Sequence, residues 1–310
     1  MGAKSVLTAI KDFAARNYRV AKALYNHNQL KKLRRFSEPP ILIHQMGKVG
    51  SKSIRLTLEE LGLDRRIFHT HHLNWERIRE LENERREFFR TERFGNLRRP
   101  WESSFIREQI DNPASGLRWK VITLTRDPIG RNLSGFFENI DFQVIEPETR
   151  YSIESHYYSI PRTDISIEDL SMFYGWFFEC YRHNTPLTYF DQEIRDVFGI
   201  DIYATEFPRD KGYGIYSGKN ADVLLIRIED LNECAPAAFK EFLDLDNFTL
   251  TNTNVGSAKD YAPVYRKFKN CIQLPQAYVD SFYDSKFVRH MYSETEIEGF
   301  RFKWEKNTVV

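Results

Sequence analysis

Short apolar runs and longer helix-periodic stretches alternate along this chain. Pro40-Ile41-Leu42-Ile43 reads as a buried strand. After a glycine-containing loop, Ile54, Leu58 and Leu61 recur at helical spacing, which predicts a helix over 53–61 stopped by Gly62. Arg66 to Thr70 predicts a second strand, and β-branched Val121 to Thr125 a third. Asp127 then offers an N-cap and Pro128 suits a first helical turn. Leu133, Phe136, Phe137 and Ile140 form that helix's apolar stripe, with Gly130, Arg131 and Ser134 on another face. Residues 166–199 hold an aromatic helical stretch (Phe173, Trp176, Phe177, Tyr181), read as core, and Val223 to Ile228 another buried strand. The strand, helix, strand, helix order predicts an α/β fold, a mostly parallel central sheet covered by helices.

Two stretches carry charge rather than core. Residues 1–38 form an amphipathic helical extension, with Val6, Ile10, Phe13, Val20, Leu24 and Leu30 at roughly helical spacing and Lys31, Lys32, Arg34 and Arg35 closing it. It is either a helix packed on the outside of the domain or a contact with a membrane surface or partner. Ser37-Glu38-Pro39-Pro40 marks the boundary, so that 39–310 is the main domain. Residues 74–109 are arginine-rich and helix-prone, read as a charge-laced solvated helix, with a lid or a binding face for an acidic acceptor as the alternative.

Overall balance adds limits. The 310 residues with 24 Phe and 16 Tyr suffice for one sizeable core. A net charge of +1 gives no global sign of nucleic-acid binding, so positive charge must be local. Cys180, Cys234 and Cys271 are odd in number and widely spaced, which fits free thiols in a reducing compartment better than a disulfide framework or zinc site. No apolar run reaches the ~20 residues of a membrane span, and no signal peptide is evident, so the expected location is the cytoplasm, with membrane association through residues 1–38 as the alternative.

The chemistry concentrates in His44-Gln45-Met46-Gly47-Lys48-Val49-Gly50-Ser51-Lys52-Ser53-Ile54. A strand, a glycine loop and a helix make an anion site, because the free N–H groups of the helix's first turn point at the ligand. Gly47 and Gly50 permit backbone angles and close approaches that a side chain blocks. Lys48 and Lys52 add cations, and Ser51 and Ser53 hydroxyls. The loop is not a Walker A motif: Leu42 stands where its first Gly belongs, and Val49 where Ser or Thr would hold magnesium. Arg126, at the carboxyl end of the third strand, stands where open α/β sheets bind ligands, and could grip a phosphate together with Ser134.

Together these elements resemble the PAPS-dependent sulfotransferases, whose donor is 3′-phosphoadenosine 5′-phosphosulfate. Gly47 to Ser53 is similar to their 5′-phosphosulfate loop, and Thr125-Arg126-Asp127-Pro128 with Ser134 to their 3′-phosphate element. Ile226 to Leu231 resembles a strand-to-helix segment of these enzymes. Phe282-Tyr283, His290-Met291-Tyr292-Ser293 and Glu296-Ile297 resemble the C-terminal helices of the bacterial group described as putative capsular polysaccharide synthesis proteins. The resemblance implies a P-loop-like sulfotransferase fold and transfer of the sulfuryl group to a carbohydrate hydroxyl of a polysaccharide precursor or glycolipid, releasing 3′,5′-bisphosphoadenosine (PAP), without a metal. It implies that Lys48 is catalytic and binds the 5′-phosphate and bridging oxygen. Val49, Gly50, Ser51, Lys52 and Ser53 line the donor, Arg126 and Ser134 hold the 3′-phosphate, and Lys259, Arg266 and Lys267 are the candidates to close over it, the alternative being a solvated charge run. The base of such enzymes is a His or Glu. His71, then His69, are the candidates, in a His69-Thr70-His71-His72 run whose strand alternation puts the first and third on one side. Two other readings remain: a magnesium-dependent P-loop kinase or ATPase, and a non-catalytic protein of a polysaccharide synthesis or export assembly.

Overall fold

A computed structural model describes residues 18–86, 98–112, 116–138, 166–246, 248–251 and 261–305. Its centre is a five-stranded sheet in the order β2-β1-β3-β5-β4. The strands are β1 Ile41–His44, β2 Ile67–Thr70, β3 Trp119–Thr125, β4 Tyr213–Ser217 and β5 Ala221–Arg227. β2, β1, β3 and β5 run parallel, and β4 pairs antiparallel with β5 at the edge. Every position of β1 and β5 is buried, as expected of parallel strands covered on both faces.

The helices are α1 Tyr18–Leu33, α2 Ser51–Glu60, α3 Trp75–Arg86, α4 Arg98–Asp111, α5 Pro128–Glu138 and α6 Ile167–Cys180. Then come α7 Thr185–Tyr189, a π-helical turn Phe190–Arg195, α8 Asp196–Phe198, α9 Leu231–Leu243, α10 Ala262–Cys271, α11 Gln276–Tyr283, α12 Lys286–Met291 and α13 Glu294–Glu305. The mixed α/β class and mostly parallel sheet agree with the sequence pattern, with three differences. α2 begins two residues before the expected Ser53, because Gly50, in the left-handed region, already turns the chain into the helix. The aromatic stretch over 166–199 is broken: α6 ends at Cys180 and a π turn interrupts the rest. β4 has no counterpart in the sequence reading, since Tyr-Gly-Ile-Tyr-Ser is short, contains glycine and is only partly buried.

α1 lies on the outside of α3 and α4. Ala21 and Trp101 pack together with Tyr18 and Tyr25, and Lys22 Nζ pairs with Glu82 at 2.5 Å. The four basic residues Lys31, Lys32, Arg34 and Arg35 are exposed. Residues 1–17, with Val6, Ile10 and Phe13, lie outside the described residues, as do Arg90 and Arg93, Ile140 and the side chains of Arg85, Arg86, Arg98, Arg99 and Cys180. Cys234 is a buried free thiol and Cys271 an exposed one. Among the described residues no helix is long and apolar enough to cross a membrane.

The C-terminal helices are anchored on the sheet by Arg227, the buried last residue of β5. Its guanidinium donates to Met291 O at 3.1 Å and Arg209 O at 3.2 Å, and pairs with Glu296 at 2.9 Å and with Asp230. Its planar face lies over Tyr292, 5.3 Å from the ring centre.

Topology sets where a ligand can sit. The chain leaves β1 toward β2 on one side, whereas β3 and then β5 lie on the other. The carboxyl ends of β1 and β3 therefore flank the switch point of the sheet, the crevice in which open α/β folds bind ligands.

Candidate anion-binding site

The loop after β1 is built on two left-handed residues. Lys48 has φ 74° and Gly50 φ 86°. For Lys48 that conformation costs about 1–2 kcal/mol, a strain that persists only where the surroundings enforce it. Val49 between them is fully buried and pins the loop to the core. A Cβ on Gly50 would stand 2.6 Å from Ile228 Cδ1, a side-chain end that would have to shift, so glycine is favoured there chiefly by its backbone angle. Gly47 behaves otherwise than expected: its φ is not left-handed, and a Cβ would meet open space. Lys48, not Gly47, takes the first left-handed position.

Two guanidiniums, Arg126 of the β3–α5 turn and Arg131 of the first turns of α5, brace this loop. Arg126 Nη1 donates to Lys48 O at 3.2 Å, and Arg131 Nε to Gly47 O at 3.1 Å. Arg131, placed by its spacing on a polar face, is in fact buried and also donates to Asn132 Oδ1 and Tyr181 OH, both at 2.9 Å. Burial first, then the nearby Arg126 charge, lower its pKa, while Tyr181 and Tyr278 act the other way. No ion-pair partner of Arg131 occurs among the described residues. The turn itself is held by Asp127, whose carboxylate accepts from Ile129 N at 3.2 Å and Gly130 N at 3.3 Å, capping α5, and from Tyr283 OH at 2.8 Å. Asp127 N in turn donates to Glu229 Oε1 at 2.9 Å.

Other elements supply further groups. Tyr265 of α10 lies beside Ser134, and burial raises its pKa while Arg126 lowers it. Lys269, one turn on, is pushed down by burial and then by the Lys303 and Arg126 charges. Tyr265 and Lys269 thus face Arg126, while Arg266 and Lys267 lie on the exposed side of α10. Lys259 lies outside the described residues. Lys48 Nζ pairs with Glu138 Oε2 at 3.2 Å, and the same oxygen accepts from Tyr261 OH. Ser51, at the start of α2, is buried, Lys52 is exposed, and Ser53 is half-buried with its carbonyl bonded by Thr57.

The histidines stand on the other flank, at the end of β2. His69 Nε2 lies 3.1 Å from Ser51 Oγ, which also receives Gln45 Nε2 at 2.5 Å. The His69 and His71 rings are neighbours, with centroids 5.0 Å apart. His71 donates Nδ1–H to Gln45 O at 2.9 Å, which leaves Nε2 as its acceptor nitrogen. Its pKa falls to about 3, chiefly through burial and then the His69 charge, so the ring is neutral at physiological pH and a weak base. Behind them Glu193, on the π turn, accepts from Leu73 N at 2.6 Å and Asn74 N at 3.0 Å. It stands 3.2 Å from His44 Nε2 and 3.8 Å from His72 Nδ1. Burial raises the pKa of this carboxyl, but its histidine partners outweigh burial and bring it to about 2.

The structure therefore gathers Lys48, Val49, Gly50, Ser51, Arg126 and Ser134 near the switch point, with His69 bonded to the loop and His71 beside it. Sequence reasoning gave no role to Arg131, Glu138, Tyr265, Lys269 or Glu193. For Glu138 a signal existed: it lies one helical turn after Ser134. Glu193 has no local signal, since its partners are about 120 residues away. Among the described residues, no group of three or more His, Cys, Asp or Glu side chains could hold a metal ion.

No curated protein and no solved structure matches the chain. Residues 170–293 match the model of the NKWYS family, described as putative capsular polysaccharide synthesis protein. The matched segment starts after the loop and Arg126, and contains Glu193, Tyr265 and Lys269 of the site as well as the anchor Arg227, so over that part the chain is similar to the NKWYS proteins.

Proposed function

We propose that this chain is a PAPS-dependent sulfotransferase acting on a hydroxyl of a carbohydrate, a polysaccharide precursor or glycolipid. The observation that carries this reading is the double guanidinium brace on a strained loop at the switch point. Arg131 is a buried cation without an ion-pair partner among the described residues, and Arg126 lies close enough to disfavour its charge. An anion with phosphate groups bound there offsets both the burial and the like-charge repulsion. The left-handed Lys48 and Gly50 and the start of α2 add backbone donors of the kind that cradle phosphate. The match over 170–293 to a family described for capsular polysaccharide synthesis supports a carbohydrate acceptor.

In this reading PAPS supplies an activated sulfuryl group, and the chain supplies binding and orientation. Lys48 and the residues Gly50 to Ser53 hold the 5′ side, while Arg126 and Ser134 hold the 3′-phosphate, with Tyr265 and Lys269 beside them. Positioning and electrostatics then contribute most of the rate. The acceptor proton goes to a histidine. His69, bonded to Ser51, lies nearer the loop. His71 offers Nε2 but with low basicity.

The kinase or ATPase reading is less well supported, because Val49, fully buried, occupies the position of the loop's magnesium ligand. The test is transfer of labelled sulfate from PAPS to a panel of saccharides in the presence of a chelator. Transfer that survives chelation and is lost in Lys48→Ala supports the proposal. Magnesium-dependent ATP turnover without sulfate transfer would overturn it in favour of the kinase. Neither activity, with Lys48→Ala and Arg126→Ala both harmless in the cell, would favour a non-catalytic assembly protein.

A further inference from the structure

Lys48 is the one loop cation with an assigned catalytic part in the proposed reaction, yet its ammonium is paired with a carboxylate, Glu138 Oε2, at 3.2 Å. Glu138 ends α5, the helix that carries Ser134 one turn earlier and Arg131 two turns earlier, so one rigid element presents both the arginine that braces Gly47 and a negative charge to the same loop. Both partners are only part-buried, with 24% and 35% of their side chains exposed, so the pair can open without leaving a charge in the core. Glu138 itself is fixed from a second side. Tyr261 OH donates to the same Oε2, and Tyr261 is the N-cap residue of α10, the helix bearing Tyr265 and Lys269. The carboxylate therefore touches the 5′ side of the site through Lys48 and the 3′ side through α10.

From this we infer that Glu138 is a positioning residue and a gate on donor affinity. It holds the Lys48 ammonium in the ligand-free protein, and a phosphate-bearing ligand binds by competing with it for that ammonium. The inference rests on the proposed donor site. Two consequences follow from electrostatics alone. Removing the negative charge strengthens binding of an anion, because the ligand no longer displaces a counter-ion from the ammonium. The gain depends on Lys48, because with no ammonium there is nothing to compete for.

The experiment is calorimetric titration with PAP of the wild type, Glu138→Gln, Lys48→Met and the double variant, at low and at high salt. The expected result is about three- to tenfold tighter binding in Glu138→Gln, the range of an ion pair worth about 0.6–1.4 kcal/mol. The gain shrinks at high salt and falls close to zero in the Lys48→Met background. A role limited to supporting the end of α5 gives weaker or unchanged binding in Glu138→Gln, and a gain that persists in Lys48→Met shows a general charge effect; either result overturns the inference. Tyr261→Phe, which keeps the ion pair and removes the second hydrogen bond, controls for a disturbed helix end. If the wild type binds no PAP at all, the donor assignment fails, an outcome distinct from a wild type that binds and a Glu138→Gln variant that binds no better.

Discussion

Lys48 combines a backbone penalty with a side-chain role, and the two can be separated. At φ 74° a glycine is relaxed and an alanine is strained. Lys48→Gly should therefore be more stable than Lys48→Ala by about 1 kcal/mol, while both lose the cation and hence PAP affinity. Denaturant midpoints beside titrations of the two variants check this, and equal stabilities would show that the strain is absent. Gly50→Ala acts oppositely. Its Cβ meets Ile228 at 2.6 Å in a left-handed backbone, so stability falls by about 1–3 kcal/mol and the loop loses its shape.

His71 makes a pH-dependent prediction. Its pKa is about 3 when folded against 6.5 for a free imidazole, so between these values the unfolded chain holds a proton that the folded chain does not. Stability thus falls as pH drops below 6.5, and His183 and His290, also lowered by burial, act in the same direction. Glu193, brought down from 4.5 to about 2, contributes stability that is fully present above 4.5 and lost below it. His71→Gln should flatten the slope of stability between pH 6.5 and 4.5, and leave the loss below 4.5 in place. An unchanged slope in urea titrations across that range would contradict the burial of this ring.

At this scale the sequence exposes residues whose role follows from local order. Lys48, Gly50 and Arg126 stand at strand ends beside helix starts, and a chain with a parallel sheet brings such ends together. Arg131 and Lys269 could not be read this way. Arg131 is buried by Tyr181 and Tyr278, far along the chain, and the choice of Lys269 over Arg266 depends on which face of α10 meets α5.

Among the elements, the π turn Phe190–Arg195 carries the largest consequence. It brings Glu193 beneath the turn that follows β2, where the carboxylate satisfies two backbone N–H groups just after the histidine run. Glu193→Ala leaves both without that partner, at a cost of about 1–3 kcal/mol for each group left unpaired and buried. Glu193→Gln keeps an acceptor and should lose less. Thermal unfolding of the two variants distinguishes them, and equal losses would mean that volume rather than hydrogen bonding matters. α5 shows how packing overrides a helical pattern. Its expected apolar stripe is buried at Leu133, Phe136 and Phe137, but so are Pro128 to Asn132 and Gly135, because α10 and α11 cover the face that spacing had left polar. A Cβ on Gly135 would stand 2.2 Å from Tyr181 OH, and this close approach lets the tyrosine reach Arg131. The strand β4 stayed hidden for a related reason: an edge strand half open to solvent has no continuous apolar run to reveal it.

Across the whole molecule, the sheet order puts the ends of β1 and β3 at the switch point, and the site draws on both halves of the chain. The loop and Arg126 precede the segment similar to the NKWYS proteins, whereas Glu193, Tyr265 and Lys269 lie within it. The proposed function requires that this junction bind a nucleotide carrying a 3′-phosphate, without magnesium. It is tested most directly by thermal unfolding of the wild type and Arg126→Ala with PAP, with adenosine 5′-monophosphate, and with ATP plus magnesium. A ligand at a hundred times its dissociation constant stabilises by about 2.7 kcal/mol. The expected result is that PAP alone raises the wild-type midpoint, that the monophosphate does so far less, and that Arg126→Ala abolishes the PAP effect. Stabilisation by ATP with magnesium and none by PAP would contradict it.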